Sequence, residues 1–460
     1  MKTQAPSLRQ RLSTLAALSL LTATTCPASS ELPSGSGCAF DLRPGEALPR
    51  LTLTDPGNHG WIIQSSPDLL TWSTAQSLRV FNGSLRTSIL ADGTGGTRYF
   101  RALHVPTPDA ALSTEALALN LPTPAANFAN PLLPPAFLVP PISNQDNTPA
   151  NNPVTNAGAT LGRVLFYDKR LSLNQTVSCS SCHQQAHGFS DPAKFSTGFQ
   201  GGLTGRNSMG LANARWYQRR AFFWDERAAT LEAQVLQPIQ NATEMGMTLT
   251  ELETRISAEP FYSTLFTKAF GSSTVTSDRI SRALAQFVRS IISTNTKFDT
   301  GAATAFANFT AQENLGRQIF NGQIGPATCT ACHGTDNFVP GPAINNNGLE
   351  IPYIDKGVGA ISGRAQDEGL FKVPSLRNIA LTAPYMHDGR FATLEEVVEF
   401  YNSGVVDHPN LSPPLRRNNQ VLRLNLTTAQ KAALVAFLKT LSDTSLPTDA
   451  RFSDPFRYGP

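Results

Sequence analysis

The spacing of apolar residues changes twice along the chain. Between about residues 46 and 105 they fall in short alternating runs, such as Trp61-Ile62-Ile63-Gln64 and Arg98-Tyr99-Phe100-Arg101. A period of two puts one face of a strand against a core. Asp55-Pro56-Gly57-Asn58, Asn82-Gly83 and Asp92-Gly93-Thr94-Gly95-Gly96 supply tight turns between such strands. The pattern predicts a small all-β, sandwich-like N-terminal module over residues 31–106, with His59 and His104 as surface or packing residues. From 107 to 157 the alternation gives way to Pro, Ala and Asn. Such a composition buries little apolar area, which predicts a linker or strap over the next domain.

From about Ala159 the apolar spacing becomes helical. Leu231, Val235, Leu236 and Ile239 share one face over 228–239, and Ile280, Leu284, Phe287 and Ile291 do so over 277–293. Helical spacing resumes over 312–320. Thr393-Leu394-Glu395-Glu396 is a capping box that opens a helix ending near Gly404. Thr427-Thr428-Ala429-Gln430 opens another, reaching about Leu441. The chain therefore reads as multidomain: the β module, the linker, two mainly α domains over 158–308 and 309–445, and a tail over 446–460.

Each α domain carries one chemical motif. Cys179-Ser180-Ser181-Cys182-His183 and Cys329-Thr330-Ala331-Cys332-His333 lie 150 residues apart and use four of the six cysteines. A lone C-x-x-C serves a zinc site or a thiol redox pair equally well. Here both pairs carry the following histidine, and no further Cys/His pair completes a zinc site. The pentapeptide is that of c-type haem attachment, two thiols bonding the haem and the histidine ligating its iron. Two cytochrome c-type haem domains and two covalently bound haem c are the expectation.

Bulk properties narrow the setting. The 460 residues include 33 prolines, 33 glycines and 15% charged residues, and the net charge of +3 argues against a nucleic-acid partner. Lys2, Arg9 and Arg11 precede an apolar run from Leu12 to Leu21 and an Ala28-Ser29-Ser30 cleavage site, which predicts a signal peptide over 1–30 and a periplasmic destination. Covalent haem attachment outside the bacterial cytoplasm agrees with export. The apolar run is too short to span a bilayer and no later stretch approaches that length, so no transmembrane helix is expected. Cys26 raises lipoprotein anchoring, but Ala23-Thr24-Thr25 is a poor lipobox. Cys38 is left as an odd thiol without a role.

Beyond the haem motifs, ordered blocks over about residues 150 to 445 resemble the bacterial di-haem cytochrome c peroxidases and their relative MauG. They are Leu161-Gly162-Arg163-Val164-Leu165-Phe166-Tyr167-Asp168, Phe223-Trp224-Asp225-Glu226-Arg227-Ala228, Leu231-Glu232-Ala233-Gln234 and Glu244-Met245-Gly246. Val373-Pro374-Ser375-Leu376-Arg377-Asn378 and Thr382-Ala383-Pro384-Tyr385-Met386-His387-Asp388-Gly389 complete the set. The resemblance implies that the haem of His183 handles hydrogen peroxide and that of His333 exchanges electrons. It implies Glu244 and Gln234, ten residues apart, as the distal pair. Splitting an O–O bond needs a group that moves a proton between the two oxygens, and a partly buried carboxylate suits that task. It further implies Trp224 as the electron carrier between the haems, and Asn207, Thr382 and Pro384 as oxygen donors to a calcium ion between the domains.

Two positions depart from the conventional peroxidases. Their Ser-Thr-Gly-His context, whose histidine blocks the peroxide haem at rest, reads Ser196-Thr197-Gly198-Phe199 here. Phenylalanine cannot ligate iron; His187 is the only nearby substitute, and a helical continuation would leave it on the proximal side. Their second-haem methionine is replaced by Tyr401, the MauG-like residue, and Met209, Met245, Met247 and Met386 do not fall at the equivalent site. A phenolate stabilises high iron oxidation states where a thioether raises the potential. Tyr401 as a plain helix aromatic is the alternative. The leading expectation is an exported MauG-like enzyme that reacts with hydrogen peroxide. It would draw electrons from a small redox protein, a cytochrome c or cupredoxin, or from a Trp or Tyr of a client protein. A conventional detoxifying cytochrome c peroxidase, a non-enzymatic electron-transfer cytochrome, and a binding or anchoring device built on the β module are the alternatives.

Overall fold

The computed structural model describes residues 24–25, 36–41, 50–55, 60–80, 83–88, 99–105, 118–122, 124–327, 329–339 and 344–457. The signal peptide expected over 1–30 thus lies outside the described residues except for Thr24–Thr25, as do Cys26, His59, Asn82 and the 92–96 turn.

Among the described residues, seven strands precede the helices: β1 (Thr24–Thr25), β2 (Gly37–Asp41), β3 (Arg50–Asp55), β4 (Gly60–Ser66), β5 (Ser73–Arg79), β6 (Gly83–Ser88) and β7 (Tyr99–Val105). One sheet runs β2-β3-β6, the other β1-β7-β4-β5, with only the β1–β7 pairing parallel. Alternate residues turn inward, as a period of two demands. Leu51, Leu53, Trp61, Ile63, Leu78, Val80, Phe100 and Ala102 form one core drawn from both sheets. His104 packs edge-on to Trp61 at 5.1 Å. Cys38 is disulfide-bonded, which corrects its reading as an odd thiol.

The segment after β7 buries more than its composition implied. Ala118, Leu119 and Phe128 enter the first helical core, and Phe137 and Ile142 close on Trp216. Two of its buried asparagines are anchored by the first helical unit: Asn152 donates to Glu232 at 2.7 Å and Asn147 to the Ala214 carbonyl at 2.7 Å. A few well-placed apolar side chains fix a strap that average composition does not reveal. The C-terminal tail is fastened to it, with Asn120 N–H on the Pro455 carbonyl at 2.7 Å and Arg457 N–H on that of Ala118 at 2.9 Å. Leu446 and Phe452 then fill the first core.

The helices that position the site are α1 (Asn156–Tyr167), α2 (Cys179–Cys182), α3 (Leu231–Gln240), α4 (Leu249–Ser257), α5 (Pro260–Phe270), α6 (Ser277–Ser290), α7 (Lys297–Ala302), α8 (Ala311–Phe320), α9 (Leu394–Glu399) and α10 (Thr428–Lys439). The Thr393/Glu396 and Thr427/Gln430 capping boxes are both formed. α3 starts at Leu231 rather than 228 because Thr230 caps it, accepting from the Ala233 amide. The helix expected to run to Gly404 changes hand-hold at Phe400: residues Phe400–Gly404 form a π-turn.

Two separate cores repeat one plan. α1 crosses α6 at Gly162, where an added Cβ would stand 1.9 Å from the Ala283 carbonyl oxygen. α8 crosses α10 at Gly316, where it would stand 1.9 Å from that of Ala433. Phe287 and Phe437, each four residues beyond the contacted alanine, lie against the two glycines. Only a residue without a side chain allows backbones this close.

Candidate functional site

Each haem-motif histidine is held by a carbonyl from a strained turn. His183 Nδ1 lies 3.0 Å from the Phe189 carbonyl and His333 Nδ1 3.4 Å from that of Phe338. Phe189 and Phe338 have φ of 61° and 53°, a left-handed conformation unfavourable for a bulky side chain. The turn aims the carbonyl at the ring, and Nδ1–H donation leaves the Nε2 lone pair for a metal. Burial pushes the His183 pKa down and that of His333 to about 4. Both rings are therefore the neutral imidazoles that ligation requires. These two carbonyls escaped the sequence reading; the signal was a Phe six or five residues after each motif.

The thiols are half-buried in the walls around the histidines. Burial pushes Cys179 up to about 12, Cys182 to about 11 and Cys329 to about 12, and raises Cys332. α2 carries the first pair on a capping box of Ser178 and Ser181, and ends at Cys182. The chain then enters a short turn, Gln185–His187, closed by Gly188. The helical continuation expected to carry His187 along the proximal side does not form.

One cavity of about 810 Å³ joins the two motifs. His183, Trp224, Gln234 and Glu244 line it, as do Cys329, Cys332, His333 and Tyr401. Asn207, Thr382 and Pro384 belong to the same wall. Of the expected site residues only Cys179 and Cys182 stand behind it, close enough to Glu244 for its charge to raise both thiols. Leu231, Val288, Phe320, Leu424 and Leu434 make much of the remaining surface apolar. An apolar cavity with a neutral, anchored imidazole and a half-buried thiol pair at either end fits two covalently attached haems.

Glu244 sits in the turn after α3, its amide and those of Met245 and Gly246 folded onto the Asn241 carbonyl at 3.2, 3.1 and 2.8 Å. Burial raises its carboxyl pKa, partly opposed by Arg227. The turn is tied to Phe199, whose N–H donates to the Glu244 carbonyl at 2.9 Å. The Phe199 ring is buried against Gly246, at which an added Cβ would lie 2.4 Å from the ring tip. Donor atoms elsewhere in the cavity wall are engaged: Met209 sulfur by Lys372 at 3.4 Å, Met386 sulfur by Asn347 at 3.6 Å. His387 stacks on Phe371 with ring centroids 4.0 Å apart.

Trp224 Nε1 donates to the Asn207 carbonyl at 2.9 Å, and the Asn207 amide donates to the His387 carbonyl at 2.8 Å. The Asn207 side-chain nitrogen is turned to the carbonyls of Ala193 and Lys194, at 3.0 and 3.3 Å, so its oxygen faces the other way. Next to it Arg206 makes a two-pronged contact with Asp355, at 2.6 and 2.7 Å, and reaches Asp225 at 2.6 Å. This latch fastens the Trp224 segment to the second helical unit. Tyr401, on the π-turn, is pushed up to about 12 by burial, and its hydroxyl accepts from Asn347 at 3.4 Å. π-turns often mark functional positions, and the local unwinding is what the helical reading of 393–404 missed.

Comparison with known proteins agrees with this geometry. The profile of the di-haem cytochrome c peroxidase family matches residues 156–305. The chain is 32% identical to the methylamine utilization protein MauG of Methylophilus methylotrophus, over 66% of this chain and 87% of that one. It is 37% identical to the cytochrome c551 peroxidase of Nitrosomonas europaea, over 52% and 71%. Among solved structures it resembles a MauG-like protein associated with microbial copper homeostasis: TM-score 0.61, 36% identity, covering 69% of this chain and 98% of that one. The diheme peroxidase BthA from Burkholderia thailandensis shares the fold, with a TM-score of 0.54 at 23% identity, covering 66% and 91%.

Proposed function

The chain belongs to the family of di-haem cytochrome c peroxidases and MauG and is a peroxidase-type oxidoreductase acting on hydrogen peroxide, and from that premise we propose that it is of the MauG-like kind, receptive to peroxide in its resting state. The observation that carries the reading is Phe199: where the conventional peroxidases place a ligating histidine, this chain packs a hydrocarbon ring against Gly246.

His183 with Cys179 and Cys182 would hold the first haem, and His333 with Cys329, Cys332 and Tyr401 the second. When bound, the haems supply the iron that splits the O–O bond and stores the oxidising equivalents. The protein's own part is proton handling and routing. Gln234 orients the peroxide. Glu244 takes a proton from the near oxygen and delivers it to the departing one, a role suited to a carboxyl whose pKa burial raises. Trp224, hydrogen-bonded and walled in between the two motifs, relays the electron.

Tyr401, in the cavity wall with His333, would offer the second haem an anionic oxygen donor, and such a donor would lower that centre's potential. Asn207, Thr382 and Pro384 offer neutral oxygens suited to a calcium ion at the junction. The same reading includes export to the periplasm, and as electron source either a small redox protein or a Trp or Tyr of a client protein. Steady-state assay with a reduced cytochrome separates the branches. Slow turnover with a long-lived oxidised form supports the MauG-like reading. Fast turnover supports the conventional peroxidase.

A further inference from the structure

The cavity wall holds a second aromatic residue with its own proton acceptor. Tyr217 is 3% exposed and lines the cavity with Trp224. Its hydroxyl donates to the Glu226 carboxylate, in a very short contact. Glu226 also receives Arg219 Nε at 2.6 and 2.9 Å; its side chain is 5% exposed, whereas that of Arg219 is 33% exposed. Phe223 and Glu226, flanking Trp224, both hold positive φ, 70° and 55°. Left-handed backbone at two non-glycine residues is kept only where the surroundings enforce it, and here it brings the carboxylate under the phenol. Lys372 bridges the two aromatics: its N–H donates to the Trp224 carbonyl at 2.8 Å and its ammonium lies 4.3 Å from the Tyr217 ring centroid.

We propose that Tyr217 is a redox station, oxidised with transfer of its proton to Glu226, through which oxidising equivalents pass between Trp224 and the Arg219 surface. It rests on the peroxide-driven reading above. Hydrogen peroxide accepts two electrons and two protons to give two waters, and one of those electrons originates here. The Tyr217 O–H bond breaks, one electron passes to the oxidised Trp224 side chain, and the proton moves to Glu226. A neutral phenoxyl radical remains. A reductant or client residue at the surface later returns one electron, the proton comes back from Glu226, and the O–H bond re-forms.

The surroundings select this coupled route. A phenol that loses an electron becomes a strong acid, and inside a protein it needs an acceptor already in place. Glu226 is that acceptor. The Lys372 ammonium over the ring face favours the electron-rich ring and opposes a cationic one, so electron loss without proton loss is disfavoured. Arg219 pairs with the carboxylate and leads to solvent.

The test uses full-length holoprotein, unlabelled and carrying ring-deuterated tyrosine, mixed with one equivalent of hydrogen peroxide, frozen and examined by electron paramagnetic resonance. The expected result is a radical whose hyperfine pattern changes on tyrosine deuteration. It should be lost in Tyr217→Phe and reduced at least tenfold in Glu226→Gln, which keeps the phenol and removes only the acceptor. Haem absorbance and haem content report assembly of each variant; should Tyr217→Phe not assemble, Glu226→Gln carries the decision. Survival of the deuteration-sensitive signal in whichever variant decides overturns the proposal, as does its absence from wild-type protein that consumes peroxide. Wild-type protein inert to peroxide would remove the underlying reading as well, and so tells the two failures apart.

Discussion

Trp224 Nε1 is hydrogen-bonded to the backbone carbonyl of Asn207 at 2.9 Å. That bond links the residue proposed to relay electrons to one proposed to bind calcium, and the neighbouring Arg206–Asp355 pair ties both to the second helical unit. The electron route and the fit between the two haem units therefore share one piece of chain.

Trp224→Phe should separate these roles. Loss of the indole N–H leaves a buried carbonyl without its donor, at a cost of about 1–3 kcal/mol, read as a lower unfolding temperature. Peroxide should still react at the first haem, while the spectral response of the second becomes slow. An equally fast response of both haems in the variant would remove Trp224 from the route.

Glu244→Gln should slow the reaction with peroxide by roughly 10²–10⁴-fold, the usual worth of a general acid–base group. Burial raises the Glu244 pKa, so the active carboxylate is present above that raised value and is lost as pH falls through it. The acid limb of the wild-type rate profile should accordingly lie above pH 4.5, the ordinary value for the side chain, and should vanish in the variant. Stopped-flow rates across pH decide it; an unchanged limb in Glu244→Gln dismisses the assignment.

Much of this site was legible in the chain, and the reasons differ from residue to residue. The capping boxes at Thr393 and Thr427 are local chemistry, complete within four residues. The haem motifs are local too. What escaped depends on backbone that only tertiary structure imposes. The Phe189 and Phe338 carbonyls reach the histidines through left-handed turns that phenylalanine does not favour, and Glu226 meets Tyr217 through another. The segment expected over 107–157 as a linker or strap buries more apolar surface than its composition implies, because an average hides Phe128, Phe137 and Ile142, each buried in its described part. The 446–460 tail fills the first core through Leu446 and Phe452, a long-range contact with no local signature.

Gly316→Ala tests the repeated crossing of helices. Its Cβ would stand 1.9 Å from the Ala433 carbonyl oxygen, so α8 and α10 must part. Overpacking of this kind typically costs about 1–3 kcal/mol, and thermal unfolding of the holoprotein should show a lower midpoint. An unchanged midpoint would mean that the crossing is looser than described.

Tyr401→Met should raise the reduction potential of the second haem, because a thioether replaces an anionic oxygen donor. Spectroelectrochemical titration reads the change directly. The same potential and spectrum in both proteins would leave Tyr401 as a wall residue only.

In the MauG-like reading no protein group occupies the peroxide-facing side of the first haem at rest. Electron paramagnetic resonance of the as-isolated ferric protein addresses it most directly. The expected spectrum shows one high-spin haem, open on that side, beside one low-spin haem with histidine and tyrosine ligands. Two low-spin haems and no high-spin component would contradict it.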